Sequence, residues 1–474
     1  MNKNRTLCIG LWLAMIGFGF SQNTTATIYT LQNCIDIAIE NNLDLKVKEL
    51  RAESSEVNFK ENKNKILPSL NMDYNFGINN GRSIDPFTNS YIDQELTFSN
   101  AGLRLDATIF NGFRIKNEIK QSRFAMQASE MEIEEAKQNL TLEVTLLYIQ
   151  ILNAKDVLEL SKARLITTKD QLDRLESQFN NGVGNPVTYT DMQGQYTRDQ
   201  TGIIRNENNL KSAVLDLVKL LNIDLHYESE FENDFEILKA EMYPISAIDV
   251  YKDALENLAT FKAKQLRIDA AKSGIKIARS NYIPEVSLFG QLNTNYSSVA
   301  QLFTQTGTAT IETGDFVSIS GQEHNVLRNE AQFEGSNINY NDQFENNLNS
   351  VVGIAVRVPI LNGFQAKNKL RIRKIEHEES QVILKQTMFD FKQSIQDAHN
   401  NMEASYNRYQ VLKDQVIAYQ ESFRVNEVRF NNGVSNIIDY ITSKNNMEIS
   451  KLNLSQIKYE YLLRVKILEY YRGI

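Results

Sequence analysis

Apolar or aromatic residues recur every seventh position at Ile151, Leu158, Leu165, Leu172 and Phe179, and again at Met402, Tyr409, Val416, Phe423 and Phe430. The two series correspond position for position at an offset of 251 residues. A seven-residue apolar repeat on a helix is a coiled-coil seam. The segments that carry it, 114–179 and 365–430, contain neither Gly nor Pro, so each reads as one helix of 66 residues. At 1.5 Å per residue such a helix is about 100 Å long. A typical globular helix has about 11 to 12 residues, so these must be stabilised by other long helices rather than by a compact core.

Near Pro68 and Pro284 the apolar period changes from helical to two. LNMDYNF places Leu70, Met72, Tyr74 and Phe76 on one face, and LRLDATIF sets Leu103, Leu105, Ala107 and Ile109 against Arg104, Asp106 and Thr108. The second half repeats the pattern with Val286 and Leu288, then with Ile354, Val356, Val358 and Ile360 against Ala355 and Arg357. Strands of about ten residues, apolar on one side and mixed on the other, suit a lipid-facing barrel wall around a wet interior. Four strands cannot close a barrel, so several chains must share one.

The halves are a tandem repeat. Asn111-Gly112-Phe113 matches Asn362-Gly363-Phe364, and FNNGVGNPVTY at Phe179 matches FNNGVSNIIDY at Phe430, both at the 251-residue offset. Equal spacing between paired signals is the mark of an internal repeat. LPSL at Leu67 matches IPEV at Ile283 at an offset of only 216, so the second copy carries 35 extra residues. These fall around Asn295 to Asn349, a stretch rich in Gly, Ser, Thr and Asn that reads as an exposed loop. Asn-Asn-Gly ends each long helix, with Gly182 or Gly433 in a left-handed conformation. Asn185 before Pro186, and Asn436 in the second copy, cap a return helix.

The predicted organisation is therefore mainly α with a transmembrane β part. Repeat 1 is 22–222, with a helix at 30–66, barrel strands within 69–110 and a helical hairpin at 113–222. A connector occupies 223–246. Repeat 2 is 247–474, with a helix at 247–283, strands within 285–361 and a hairpin at 364–472. All six prolines fall at the inferred boundaries.

Residues 1–21 read as a secretory signal, with Lys3 and Arg5 before the apolar run Leu7 to Phe20 and small residues Gly19 and Ser21 near the cut. Removing it leaves 49 basic against 59 acidic side chains, a net charge of -10, which disfavours nucleic acid as a partner. It also leaves Cys34 as the one cysteine, so no disulfide can close within a chain; a small buried residue is the expected role. His226, His324, His377 and His399 are scattered without ligand spacing, and no catalytic constellation is evident. No metal, cofactor or enzyme activity is expected.

These features resemble the TolC family of outer-membrane efflux proteins. The resemblance is carried by the opening LQNCIDIAIENN helix, LPSL and IPEV at the helix-to-strand joints, FNG and LNG at the strand-to-helix joints, and the two hairpin turns. It implies a homotrimer in the outer membrane, with a twelve-stranded barrel, an α-helical coiled-coil tunnel in the periplasm, and the connector in its equatorial region. It implies as partners outer-membrane lipid, a periplasmic adaptor and an inner-membrane pump, with substrates passing passively through the duct.

It also implies gate carboxylates at the second hairpin's turn. Asp439 falls on the first of these, whereas the second falls on Thr442, and Ser435 stands where some members have a basic residue. Asp439 also sits in the first turn of a helix, where a carboxylate contributes about 0.3 to 1 kcal/mol. Adaptor docking is expected at Gly182, Val183, Thr188, Gly433 and Val434. Thr188 against Asp439 suggests that only the second hairpin faces the tunnel axis. The joints Pro68, Pro284, Asn111, Gly112, Phe113, Asn362, Gly363 and Phe364 are architectural. A secreted coiled-coil scaffold or adhesion protein is the alternative, and the four alternating strands argue against it.

Overall fold

The computed structural model describes residues 28–85, 88–224, 230–233, 235 and 241–474. The signal segment, Pro86 and His226 lie outside them. In chain order the elements of the first half are β1 (Ile28–Tyr29), α1 (Leu31–Asn41), α2 (Leu43–Asn64), β2 (Ser69–Asn79), β3 (Arg82–Ile84), β4 (Tyr91–Asp93), β5 (Leu96–Asn111), α3 (Arg114–Asn180) and α4 (Pro186–Leu221). Then come β6 (Glu230–Phe231), α5 (Ala247–Asn257), α6 (Ala259–Ser280), β7 (Glu285–Ser297), β8 (Gln301–Ile319), β9 (Gln322–Asn337), α7 (Tyr340–Asn346), β10 (Asn349–Arg357), α8 (Gln365–Asn431) and α9 (Ile437–Arg472). The two long helices of 67 residues each and the two return helices of 36 lie where the heptads and turns put them.

Each helix expected before a proline is instead two. Asn42 is extended, gives its N–H to Ala38 and accepts from the Leu45 N–H with its side-chain oxygen, so it ends α1 and caps α2. Leu258 makes the equivalent break between α5 and α6, with its N–H on the Ala254 carbonyl. Its side chain is buried, which holds the break in place.

The chain divides into two compact units. One comprises 48–133 and 259–389. Its centre is an antiparallel sheet of order β10-β7-β5-β2. The register repeats the sequence offsets: Ser69 pairs with Asp106 and Leu70 with Leu105, as Glu285 pairs with Arg357 and Val286 with Val356. β5 and β7 join the copies, with a bulge between Thr108 and Phe110. Past that bulge Phe110 stands opposite Val286, on the face of Leu103 and Leu105, where unbroken alternation would have set it with Arg104 and Asp106. β10 ends at Arg357, short of Val358 and Ile360, because its partner β7 begins opposite it at Glu285, after Pro284, and Pro359 has no N–H to continue a ladder.

The inserted segment is not a loop. β8 and β9 form a hairpin of 19 and 16 residues closed by Ser320 and Gly321, both at positive φ, as a two-residue type I′ turn requires. Its threonines favour strand, which the loop reading of its composition overlooked. α7 then clasps β7 beyond the end of β10, where Gln343 both donates to the Ser297 carbonyl and accepts from its N–H, each at 2.9 Å. Tyr340 and Phe344 stack at 4.4 Å beside Tyr296.

The joints use the same backbone in both copies. Gly112 and Phe113, like Gly363 and Phe364, have positive φ in succession. The Asn111 side chain accepts from the Ile115 N–H, capping α3.

The other unit comprises the described residues of 28–47, 134–258 and 390–474. Here α3 and α4 form one hairpin and α8 and α9 the other. Ile151, Leu158, Leu172, Met402, Val416 and Phe423 of the seam are buried, and Cys34 is a buried free thiol whose pKa burial pushes up to about 12. The described part of the connector is tied down by β6 pairing in parallel with β1. The buried Tyr148 hydroxyl, within 2.8 Å of both Tyr29 O and Glu232 O, fastens that pair.

A side chain at Gly112 would place its Cβ 2.7 Å from the Ile283 Cβ, at a φ of +64°. Gly112→Ala is therefore expected to cost about 1 to 3 kcal/mol, read as a lowered unfolding midpoint of the purified protein.

Candidate functional site

Two regions carry candidate chemistry: the free ends of the hairpins and the two faces of the sheet. At the hairpin ends the helices close by the same bonds. The Val183 and Gly182 N–H groups reach the Gln178 and Phe179 carbonyls, and Val434 and Gly433 reach Arg429 and Phe430. This is the Schellman closure that a left-handed glycine permits. Beyond it Phe179 stacks on Tyr189 at 5.3 Å, and Phe430 on Tyr440 at 4.9 Å, so the repeat extends to the ring contacts. Val183 and Val434 project from the turns, 81% and 67% exposed.

The two ends differ where their sequences differ. Asn185 accepts from the Val187 N–H, whereas Asn436 accepts from Asp439 at 2.8 Å. Asp439 is exposed, and its carboxylate accepts from the Ser435 hydroxyl at 3.2 Å. Ser435 and Asp439, singled out from the sequence, are thus brought together as a local cap; Thr442 lies exposed three residues along the same helix. In the first copy Gly184 replaces Ser435, and a Cβ there would lie 2.5 Å from the Phe179 backbone nitrogen. Thr188, in place of Asp439, is half-buried.

Just inside the ends the hairpins pack together through Leu172, Leu175, Met192, Phe423, Ile437, Tyr440 and Met447. Beyond this cluster lies a buried polar layer that sequence reasoning missed. Lys444 Nζ donates to Thr168 Oγ1 at 2.8 Å, Thr168 lies 2.6 Å from Asp199 Oδ2, and Gln195 donates to Asp199 Oδ1 at 2.8 Å. Arg164 completes it, with Nε 2.9 Å from Asp199 Oδ1 and Nη2 donating to Asn445 at 2.6 Å. A usable signal was Lys444 itself, four residues after Tyr440 and three before Met447, on the face that a helix buries.

In the sheet, register and alternation assign every side chain to a face. One face collects Leu70, Met72, Tyr74, Phe76, Leu103, Leu105, Val286, Leu288, Leu292, Ile354 and Val356. The opposite face collects Asn71, Asp73, Asn75, Arg104, Asp106, Gln291, Asn293 and Arg357, with Arg104 paired to Asp106 at 2.8 Å. No described helix is long and apolar enough to cross a membrane. No cluster of potential metal ligands occurs among the described residues.

An open sheet with one apolar and one mixed face, in a chain whose long helices pair as hairpins, is the architecture of an outer-membrane channel protein. The sequence profile of the outer membrane efflux protein family matches residues 34–222 and 250–471, one span for each repeat. The chain belongs to that family, as a TolC-like outer-membrane protein. It is 23% identical over 482 residues to the outer membrane protein TolC of Salmonella enteritidis, covering 100% of this chain and 86% of that one. Against TolC of Escherichia coli K12 the identity is 22% over 468 residues, covering 98% and 85%. The outer-membrane channel CmeC of Campylobacter jejuni superposes with a TM-score of 0.74 at 16% identity, covering 94% and 85%.

The unequal ends can be tested directly. Gly184→Ser is expected to loosen the first hairpin's end and Ser435→Gly to leave the second closed, because only at 184 does a Cβ meet backbone. Limited proteolysis should then cut the first variant near 180–186 and spare the second.

Proposed function

We propose that three copies of this chain close one barrel and one tunnel, and that the assembly is the passive outer-membrane duct of a tripartite efflux or type I secretion system. The observation that carries this reading is the sheet: β2 and β10 are its two open edges, and its exposed apolar face suits lipid. An unpaired edge has no place in hydrocarbon, so the edges must meet those of other copies. From Val286 to Tyr296 the apolar face rises about 25 Å, taking 3.3 Å per residue and a tilt of about 40°. Tyr74, Phe76, Tyr296, Tyr340 and Phe344 gather at its far end, and Phe110, Phe113, Tyr282 and Phe364 at the joints, as two aromatic belts. A scaffold without a pore has no use for such a sheet.

The tandem repeat supplies the register between chains. β5 pairs with β7 inside one chain, and shifting that seam by the two sequence offsets pairs β10 with β2 of a neighbouring chain. Arg357 then stands opposite Asp73, Ala355 opposite Asn75 and Ile354 opposite Phe76. The same shift explains an empty place. A Cβ at Gly112 would abut Ile283, whereas one at Gly363 would meet nothing within 4 Å beyond its chain neighbours, and Leu67, the residue equivalent to Ile283, is exposed. Leu67 of a neighbouring chain fills that place.

Asp73→Cys combined with Arg357→Cys is expected to give a disulfide-linked trimer on a denaturing gel. Asp73→Cys with Gly353→Cys, four residues out of register, should not; equal linking of both pairs would refute the register.

The exposed turns of the hairpins, with Val183 and Val434, suit docking of a periplasmic adaptor that joins the duct to an inner-membrane pump. Asp439 near the mouth tunes ion passage there, and the second hairpin lines the axis. Three carboxylates about 7 Å apart repel by only about 0.6 kcal/mol per pair in water, so the mouth opens by helix repacking rather than by charge alone. In single-channel recording, Asp439→Ala is expected to change conductance and weaken cation preference; an unaltered channel would remove Asp439 from the gate.

A further inference from the structure

We propose that Lys444, Thr168, Asp199 and Arg164 form a latch that fixes the register of the two hairpins within one chain, and that the hairpins part by breaking it. The latch deepens the duct reading by assigning residues to the repacking, but its mechanics need no pore. Every member lies inside one chain. Thr168 is fully buried, Lys444, Asp199 and Gln195 are at most 5% exposed, and Arg164 keeps 16% of its side chain exposed.

The layer is an interruption in an apolar seam. Leu172, Met192 and Met447 lie on one side of it along the helices and Leu158, Met402 and Ile457 on the other, all buried. Its members come from three helices: Arg164 and Thr168 from α3, Gln195 and Asp199 from α4, Lys444 and Asn445 from α9. Sliding α9 by one turn, about 5.4 Å, would carry the Lys444 amine off Thr168 and against apolar side chains. The observed register gives Lys444 its acceptor and Asp199 its donors, the role a buried polar residue plays in a coiled coil.

The latch is tight but costly. An ammonium has three N–H groups, and Thr168 is the one hydrogen-bond partner of Lys444 among the described residues. Burial lowers its pKa to about 8, with Arg164 of α3 adding to the shift, while Asp199 of α4, Glu448 of α9 and Glu427 of α8 oppose it. With the pKa depressed in the closed hairpins and ordinary when water enters, the open form binds more protons between pH 8 and 10.5. Closure therefore strengthens as pH rises through that window, and the charged lysine below it favours opening.

The test is hydrogen–deuterium exchange of the full-length protein in detergent, read on peptides covering 179–199 and 430–448 and corrected for intrinsic exchange. Protection in the wild type is expected to rise roughly tenfold from pH 7 to pH 9, as the depressed pKa requires. Lys444→Met should abolish that rise, and Thr168→Val, which keeps the side chain's shape, should speed exchange at both hairpin ends. An unchanged pH profile in Lys444→Met, or wild-type exchange in Thr168→Val, would overturn the latch. Single-channel recording of the same proteins separates the two proposals, because altered exchange in a protein that never conducts supports the latch and removes the duct.

Discussion

A strand edge cannot face hydrocarbon. Each unpaired N–H or C=O in the bilayer core costs several kcal/mol, and the sheet of this chain ends in two such edges, β2 and β10. The proposed ring closure, the repeated register and the matched joints would all answer that constraint. A duplicated protomer answers it economically, because the seam that joins its halves inside the chain can be reused between chains. The reuse needs compatible surfaces at both joints, which is why Gly112 and Gly363 share a backbone conformation although only Gly112 has a close neighbour within the chain.

The hairpins solve a different problem. A helix of 67 residues has no globular core to lie on, so it is held by a seam of buried residues along its partners. A seam of uniform apolar residues resists separation but specifies register weakly. The polar layer at Lys444 shifts that balance, since burying the ammonium is unfavourable and the observed alignment gives it the Thr168 hydroxyl as acceptor. Apolar packing along most of the length, with a costly polar layer near the hairpin ends, would concentrate movement where the proposed duct needs it.

The two copies share a backbone and differ in chemistry. Their Schellman turns, Asn caps and Phe-on-Tyr stacks coincide. Divergence is confined to residues such as Gly184 against Ser435 and Thr188 against Asp439, where one copy needs a tight backbone approach and the other holds a capped carboxylate. The same holds for the strand loops. The first copy has the short β3–β4 pair, whereas the second extends into β8 and β9 and folds α7 back onto β7.

Much of the fold was legible in the sequence because it rests on period and punctuation. Heptads on Gly-free segments fixed the long helices, Asn-Asn-Gly fixed their ends, and alternation beside Pro68 and Pro284 fixed the strands and which face is apolar. What the sequence hid depends on contacts between distant segments. Asn42 and Leu258 break helices that read as continuous because a side-chain cap in one case, and burial in the other, outweighs local propensity. The threonine-rich insertion pairs as a hairpin because each strand supplies the other's hydrogen bonds. Lys444 looks like any helical lysine until α9 is laid against α3, for only that packing removes its water and gives it Thr168. Sequence determined the elements and their order, which depend on neighbours along the chain; tertiary structure alone decided which polar groups lose water and what they find instead.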